Sequence, residues 1–483
     1  MNNTYLFYDL ETTGLNKTFD QVLQFAAIRT DMQFNEIERH DIMIKLRPDV
    51  IPSPKATITH RISIAQSMQG ICEFEAIEQI HRFLNQPGTI NLGYNSSNFD
   101  DEFLRFCFHR NLLPPYTHQH KEGCRRSDLL PITIVYYLYK REVLENWPEI
   151  DGKPSMRLEK ISEANQLAIG QAHNAMVDVE ATVELARRLY KEPKMWHYLG
   201  GYFDKITDIK RIDEIPVAFQ SVACSNRIGL IIGNEYGSAN QYQIPVLLLG
   251  KSVPYKNQTL WLRLDNPNLH EITPETFEDE ESLSKKSWVI RKKYGEPGIV
   301  LPPLDRYWNN LSAERQALVE ENKTWLQLHT TIFHKIIQYH RKFRYPKIPD
   351  LDVEAALYQN GFLSDKEQAL CRQFHVADFM HKIEIVTRFE DVDMRKLVSR
   401  LLCRNYPDNL PPMLTNDFED YMRRVNPAQE EDAFFDHKYV KRTTPTAARL
   451  ELAELRKEPT KLDSQQIELL DELENHLNTN FPN

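Results

Sequence analysis

Two carboxylates, Asp9 and Glu11, interrupt an apolar segment close to the start of the chain. The segment, residues 5–10, is predicted to be a β-strand, and a Thr-Thr-Gly turn ends it. Residues i and i+2 of a strand point to the same face of a sheet, so both carboxylates project together. Two like charges at that spacing repel each other unless a cation lies between them. The sequence therefore predicts a divalent metal site at the end of this strand.

The composition places the chain among multidomain globular proteins. It has 483 residues, more than one hydrophobic core usually serves, and 41% of them are hydrophobic. Its apolar runs fall far short of the roughly 18 residues that a membrane-spanning helix requires, and the N-terminus lacks the basic and apolar regions of a signal peptide. Six cysteines without a CxxC pair predict free thiols rather than a zinc site or disulfides. We therefore expect a soluble protein of the cytoplasm.

The net charge of −10 argues by itself against nucleic acid as a partner, because phosphate binding requires clustered lysines and arginines. One segment, residues 334–347, departs from this average, since it interleaves Lys, Arg and His with Tyr and Phe. That composition suits phosphate contact and base stacking. It is equally typical of a solvated helix end before a linker, and the sequence leaves both interpretations open.

Hydrophobic periodicity divides the chain into three regions. In the first region, strand-like segments alternate with helical ones, which predicts an α/β domain around a mixed sheet. The strands are predicted at 5–10, 22–30, 42–46 and 89–94, and the helices at 74–84, 101–111, 129–138 and 176–190.

Short β-like segments separated by Pro, Gly and Asn make up the second region. Beyond a Pro-containing linker at 345–350, the pattern of the third region is mostly helical. Near its end, Asp463 and Gln466 have the spacing of a capping box and predict the start of an amphipathic helix. We place the three domains at residues 1–192, 193–346 and 350–483.

A metal site built on Asp9 and Glu11 requires further ligands, and Asp100 and Asp178 are the candidates. Asp100 lies in a polar turn between a predicted strand and a predicted helix, where a carboxylate also serves as a helix cap. Asp178 lies in a mostly apolar helical turn, where an unpaired acid is costly to bury and metal coordination would remove that cost. His173, five residues earlier, is expected close to the Asp178 carboxylate, although a lone histidine is more often a packing residue.

Taken together, the Asp-x-Glu strand end, the turn Asp and the His-x4-Asp helix start resemble the DEDD exonuclease superfamily, and the histidine indicates its DEDDh branch. The resemblance implies a ribonuclease H-like fold in which Asp9, Glu11, Asp100 and Asp178 hold two Mg²⁺ ions, with Mn²⁺ as a substitute. It implies that Asp9 bridges both ions and that His173 takes the proton from the attacking water. The chemistry agrees, because a phosphodiester resists attack until divalent ions offset its negative charge.

The rest of the chain resembles the bacterial exonuclease I family over nearly its full length. The matching segments are residues 24–31, 93–95, 154–159, 357–365 and 404–407. The resemblance implies an exonuclease domain, an SH3-like β domain and a helical C-terminal domain. It also implies processive 3′ to 5′ hydrolysis of single-stranded DNA to 5′-mononucleotides, in DNA repair and recombination. The implied partner is the acidic, hydrophobic C-terminal tip of single-stranded DNA-binding protein, and a monomer is expected.

The same resemblance assigns substrate contacts to Glu11, Arg157, Arg105 and Tyr116. Arg105 would meet a phosphate, and the Tyr116 ring would stack on a base, an interaction typically worth ~1–3 kcal/mol. Other interpretations stay open for two of these residues. Arg157 could pair with a neighbouring glutamate at the surface, and Tyr116 could be an aromatic residue at the edge of the core.

Two further positions, Ile134 and His60, are not expected to take part in the site. Ile134 stands where the family commonly has an arginine, so one phosphate contact is expected to be lost or shifted. His60 is interpreted as a structural residue of its loop.

Two other functions stay open: a DEDDh RNase or proofreading exonuclease, and a catalytically inactive nucleic-acid-binding module. The second is disfavoured, because an inactive site has no reason to retain mutually repelling carboxylates.

Overall fold

The computed structural model of the chain describes residues 3–170, 173–221, 224–408 and 410–482. It contains two compact units. The first comprises Met1–Arg126, Ala168–Val183 and Lys347–Asn483, and the second comprises Ser127–Leu167 and Glu184–Pro346. Each of the three domains predicted from the sequence is one continuous stretch of chain, and their boundaries stay a prediction.

The strands form two main sheets and one small ribbon. In chain order they are β1 (Thr4–Thr12), β2 (Val22–Thr30), β3 (Glu36–Met43), β4 (Thr89–Gly93), β5 (Arg125–Asp128), β6 (Glu149–Ile150), β7 (Lys153–Pro154), β8 (Val217–Gln220), β9 (Ser225–Ile232), β10 (Gln243–Lys251), β11 (Gln258–Arg263), β12 (Val289–Lys293) and β13 (Ile299–Leu301).

The α-helices are distributed over both units. In chain order they are α1 (Pro54–His60), α2 (Ile64–Met68), α3 (Glu73–Leu84), α4 (Asp100–Arg110), α5 (Leu129–Tyr139), α6 (Leu158–Asn165), α7 (Ala175–Leu189), α8 (Pro193–Gly200), α9 (Lys205–Glu214), α10 (Glu280–Ser287), α11 (Asp305–Trp308), α12 (Ala313–Leu328), α13 (Thr330–Lys342), α14 (Asp365–Val376), α15 (Phe379–Val386), α16 (Val392–Asn405), α17 (Pro412–Val425), α18 (Pro445–Arg456) and α19 (Ser464–Asn480). None of the described helices is long and apolar enough to cross a membrane.

The first sheet has the order β3-β2-β1-β4-β5. Strand β1 pairs antiparallel with β2 and parallel with β4, so the predicted mixed sheet is confirmed. The prediction for the third strand was wrong in position: β3 is Glu36–Met43, which shares only Ile42 and Met43 with the predicted residues 42–46, and Ile44 adds one isolated bridge. The charged, largely exposed sequence of β3 carries no apolar alternation. Strand β5, Arg125–Asp128, consists of four polar residues and also carries no apolar alternation, so it was not predicted.

Strand β1 presents different side chains on its two faces. Leu6 and Tyr8 lie in one hydrophobic cluster with helices α3 and α4. Phe7, on the opposite face, packs against an aromatic ring of the β2–β3 loop. Burying a large apolar side chain stabilises the fold by about 1.5–3 kcal/mol, so a slip of the register by one residue would be costly. The register thus fixes the face from which Asp9 and Glu11 project.

The helices after residue 350 complete the first unit. Helix α16 shares a hydrophobic cluster with α14 and with Phe74 of α3. Helix α19 begins with the predicted capping box, in which Asp463 accepts a hydrogen bond from the Gln466 N–H and the Gln466 side chain accepts one from the Asp463 N–H. The predicted terminal helix is therefore confirmed.

The second unit contains a sheet of order β12-β11-β10-β9-β13, with β8 paired to β9. Helices α12 and α13 pack on it through Leu326 and Ile336, which share a cluster with Leu247 and Leu260. The segment predicted as basic and aromatic lies largely on α13, where His340 is buried and the rest of the helix end is more exposed. All six cysteines of the chain are free thiols, as predicted.

Candidate active site

Three carboxylates from two elements of the first unit converge at the end of β1. Asp9 and Glu11 come from β1, Asp178 comes from the first turn of α7, and one oxygen from each lies within 4.8 Å of the others. Glu11 is 9% exposed, while Asp9 and Asp178 are half-buried. The structure therefore brings together the predicted strand pair and the predicted helix acid.

Asp100 reaches the same place from the neighbouring strand. Strand β4 runs parallel to β1, so the carboxyl ends of both strands lie at one edge of the sheet. The chain leaves β4, turns through Asn95 with a φ of 62°, and begins α4 at Asp100. Asp100 is 4% exposed, and its charge raises the pKa of both Asp9 and Glu11. It thus faces the three clustered carboxylates.

A layer of hydrogen bonds behind the carboxylates holds the first turn of α4. The Tyr8 hydroxyl donates to Asp101 Oδ1 at 2.7 Å, and Arg126 Nη1 donates to Asp101 Oδ2 at 3.0 Å. All three side chains are buried, so these bonds fix where α4 begins. The sequence analysis missed this layer. In the sequence, Asp101 is only one more acidic residue at the start of a predicted helix, and nothing links it to Tyr8 or Arg126.

The four acids destabilise one another's charge. Burial raises the pKa of Asp9 well above its usual range, and the charges of Asp100, Glu11 and Asp178 raise it further. Burial, followed by the charges of Asp178 and Asp100, raises the pKa of Glu11 to about 9. Such a group becomes stable in its charged form when a cation is bound. Clustered carboxylate oxygens are hard ligands suited to Mg²⁺ or Mn²⁺, so the residues present fit a divalent metal site.

His173 lies beside Asp178, at the entrance to α7. Its backbone N–H donates to Asp178 Oδ2 at 3.1 Å, and its φ of 61° is in the left-handed region. The contact is made by the main chain, and the side chain is exposed. Residues 171 and 172, which precede it, lie outside the described part of the chain.

His60, interpreted from the sequence as structural, is buried near His173. Its Nδ1 accepts a hydrogen bond from the Ile62 N–H at 2.9 Å, which leaves the ring proton on Nε2. Nε2 has no partner among the residues that the structure describes. Burial and, to a smaller extent, the charge of His173 lower the pKa of His60 to about 4, so His60 is a neutral neighbour of that histidine. The two histidines are 113 positions apart in the chain, so no sequence signal predicts that they lie close together.

The expected substrate residues fall into two groups. Arg105 of α4 is 8% exposed, and its guanidinium lies 5.7 Å from the centre of the half-buried Tyr116 ring. Arg157 belongs to the second unit, where it precedes α6 and its Nη1 lies 3.8 Å from a Glu159 oxygen, as in the alternative interpretation. Ile134 is fully buried in α5 and offers no polar group to a phosphate.

Comparisons with known proteins cover both ends of the chain. The family model described as Exonuclease matches residues 6–186, and the model described as Exonuclease I C-terminal domain matches residues 351–480. The chain is 29% identical to Exodeoxyribonuclease I of Escherichia coli (strain K12) over 445 residues, which cover 88% of this chain and 90% of that protein.

Solved structures match over the whole length. The structure of E. coli Exonuclease I in complex with a dA16 oligonucleotide has a TM-score of 0.83 at 24% identity, covering 99% of this chain and all of the other. A structure of SSB/Exonuclease I in complex with the inhibitor CFAM has a TM-score of 0.80 at 24% identity with the same coverage. These likenesses establish the fold class predicted for the exonuclease and helical regions.

Proposed function

Because the chain belongs to the exonuclease I family, we propose that it is a metal-dependent exodeoxyribonuclease that removes nucleotides from the 3′ end of single-stranded DNA. The observation that carries the proposal is the cluster of Asp9, Glu11 and Asp178, in a chain whose C-terminal region matches the Exonuclease I C-terminal domain. The relative in the dA16 complex binds a DNA single strand. The products are 5′-mononucleotides, and release is processive.

The four acids are the proposed metal ligands. Asp9, Glu11 and Asp178 already lie close enough to share an ion, and Asp100 supports a second one beside Asp9. Two divalent ions, Mg²⁺ with Mn²⁺ as an alternative, would supply charge neutralisation and Lewis-acid activation when bound. Holding them on four buried or half-buried carboxylates relieves the repulsion among these groups.

His173 is the proposed general base. It precedes α7, its backbone N–H donates to Asp178, and its side chain is exposed. The imidazole takes the proton from the attacking water, a role that histidine fills most often in enzymes. Glu11 also contacts the terminal nucleotide, while Arg105 and Tyr116 bind the strand. The role of Arg157 rests on the resemblance alone and stays a prediction.

A nuclease assay tests the proposal. We expect Mg²⁺-dependent shortening of 5′-labelled single-stranded DNA from its 3′ end, which EDTA abolishes. His173→Ala should slow the reaction by about 10²–10⁴-fold, the usual contribution of a general base. His381→Ala is the matched control, because His381 is an exposed histidine of α15 that pairs with Asp378.

Three outcomes would contradict this proposal. Equal digestion of duplex DNA or of RNA would favour the RNase or proofreading alternative. Binding of single strands without any hydrolysis would favour the inactive binding module. Unchanged rates for His173→Ala would remove the proposed general base.

We further propose that the second unit docks the C-terminal tip of single-stranded DNA-binding protein, because a structure with SSB is among those that match. A cavity of about 200 Å³ lies between β8 and helices α12 and α13, and its lining includes Phe219, Leu326, Phe333 and Ile337. Two guanidinium groups, of Arg227 and Arg341, lie close enough to Cys224 to lower its thiol pKa against the larger effect of burial. The backbone N–H of Cys224 donates a hydrogen bond to the hydroxyl of Ser221, which lines the cavity. Apolar walls with cations nearby suit an acidic, apolar peptide end.

A peptide titration tests this docking site. A fluorescent peptide with an acidic, apolar C-terminus should bind the wild-type protein, and Gln327→Glu should weaken binding about tenfold by adding a negative charge to the wall. Gln373→Glu, the same change at an exposed position of α14, is the control. Equal affinity for Gln327→Glu and the wild type would exclude the cavity, and absence of binding by the wild type would exclude the partner.

A further inference from the structure

Residues 434–442, here called the 434–442 loop, form a compact turn between α17 and α18. Its two sides are joined by the Arg442 N–H, which donates to the Phe434 carbonyl at 2.8 Å, and by the Asp436 N–H, which donates to the Val440 carbonyl at 2.9 Å. Asp436 Oδ1 accepts from the N–H groups of Lys438 and Val440, both at 2.8 Å. The tip is therefore held by its own hydrogen bonds.

The tip presents a cation and an aromatic ring to solvent. The Lys438 side chain is 54% exposed and Tyr439 is 56% exposed. Tyr439 has a φ of 60°, a left-handed conformation that is uncommon for a bulky residue. Proteins bind single-stranded nucleic acid through this combination, because the ring can stack on a base and the ammonium group can contact a phosphate.

The 434–442 loop lies against the first turn of α4, which begins with the candidate metal ligand Asp100. Lys438 Nζ is 3.3 Å from a Glu102 oxygen, and His437 Nε2 is 3.6 Å from the other. Lys17, six positions after Glu11, approaches the same carboxylate at 3.1 Å. The loop is thus fixed against the helix that begins at Asp100 and close to the segment that follows Glu11.

Two lysines share the Glu102 carboxylate. Lys17 Nζ and Lys438 Nζ both lie within ion-pair distance of the Glu102 carboxylate, and the His437 ring lies beside it. One carboxylate therefore faces two ammonium groups at neutral pH. The excess positive charge lies at the exposed Lys438, where it suits a phosphate.

The loop is continuous with the predicted DNA contacts on α4. The His437 ring lies 5.0 Å from the Tyr358 ring. The Tyr358 phenol is next to the Arg105 guanidinium, which opposes the rise that burial causes in its pKa. Arg105 lies over Tyr116. Aromatic rings and cations therefore alternate from the loop to Tyr116 within one unit.

We propose that the 434–442 loop is an additional contact for single-stranded DNA, in which Lys438 binds a backbone phosphate and the Tyr439 ring stacks on a base. This inference rests on the proposed function, because it takes the substrate to be a single strand. A loop that only fastened α17 and α18 to α4 would require Glu102 and His437, and it would have no use for an exposed tyrosine at the tip.

Binding measured without hydrolysis tests the inference. The probe is a fluorescently labelled oligodeoxythymidine, and anisotropy is recorded in EDTA so that no strand is cut. We expect Lys438→Ala and Tyr439→Ala each to raise Kd about fivefold, and Tyr439→Phe, which keeps the ring, to retain most of the affinity. Lys438→Ala should also reduce the slope of log Kd against log salt concentration by about 0.7.

The control is Lys457→Ala, which removes an exposed lysine that pairs with Glu454 just after α18. Thermal melting of each variant verifies that it is folded. If the wild type binds the strand and both loop variants bind it equally well with the same salt slope, the loop contact is wrong and the proposed function stands. If the wild type binds no single strand, the proposed function itself fails.

Discussion

Replacing Asp9 with Asn is expected to reduce exonuclease activity by about 10³-fold or more and to stabilise the metal-free protein. Activity falls because Asp9 is the ligand on which the proposed site depends, and removal of a central catalytic group has effects of this scale. Stability rises because burial and three neighbouring carboxylates oppose the Asp9 charge. One unit of pKa shift corresponds to about 1.4 kcal/mol, so a gain on the order of 1 kcal/mol or more is expected.

The sign of the pH dependence follows from the raised pKa values. An acid whose pKa is raised by folding leaves the protein fully stable below the pKa of the unfolded chain and destabilises it as pH rises toward the folded value. For Glu11, that window extends from about pH 4.5 to about pH 9. The stabilising effect of Asp9→Asn should therefore be measured in EDTA near pH 8, by thermal or urea unfolding.

The effect of Mg²⁺ on stability provides a second measurement on the same variant. Mg²⁺ should raise the unfolding midpoint of the wild type, because a ligand that binds only the folded state stabilises it, and it should raise that of Asp9→Asn much less. Asp417→Asn, a neutralisation at an exposed position of α17, is the control. An active Asp9→Asn variant, or a variant less stable than the wild type in EDTA, would contradict the proposed site.

The second large effect is expected at Arg404, which is buried in α16. Its Nη2 lies 2.8 Å from Asp49, 2.5 Å from Glu354 and 2.9 Å from the Tyr421 hydroxyl. Arg404→Met should destabilise the protein by about 3–5 kcal/mol, because removing one member of a buried ionic cluster leaves uncompensated charge. Urea unfolding with tryptophan fluorescence measures the loss.

A double variant separates charge from packing. If the loss comes from stranded carboxylates, adding Asp49→Asn to Arg404→Met should cost less than the sum of the two single changes. Arg456→Met is the control, because Arg456 pairs at the surface with Asp471 and such pairs contribute about 0–1 kcal/mol. Strictly additive losses, or a loss at Arg404 no larger than at Arg456, would contradict the role of the cluster.

Much of the site was predictable because its signals are local. The two-residue period of a strand sets Asp9 and Glu11 on one face, and the apolar pattern with a helical period predicted α7, which carries Asp178. The strands and helices nearest the site follow strong apolar patterns and were predicted to within one or two residues. The resemblance then associated acids that are far apart in the chain.

Other elements were not predictable because their position depends on partners distant in the sequence. Strand β3 is polar and partly exposed, and pairing with β2 places it. The proximity of His60 to His173 and the cluster around Arg404 arise between segments more than 100 residues apart. No local period records such proximity.

The sequence by itself determined that two carboxylates share the end of a strand, that an α/β region carries them, and that further acids and a histidine accompany them. The tertiary structure alone decided that Asp178 joins the strand-end pair with Asp100 facing them, that Arg105 lies over Tyr116, and that the 434–442 loop meets α4 at Glu102. The physical reason is range. Backbone periodicity acts over a few residues, whereas burial and ion pairing act between whatever side chains the fold brings into contact.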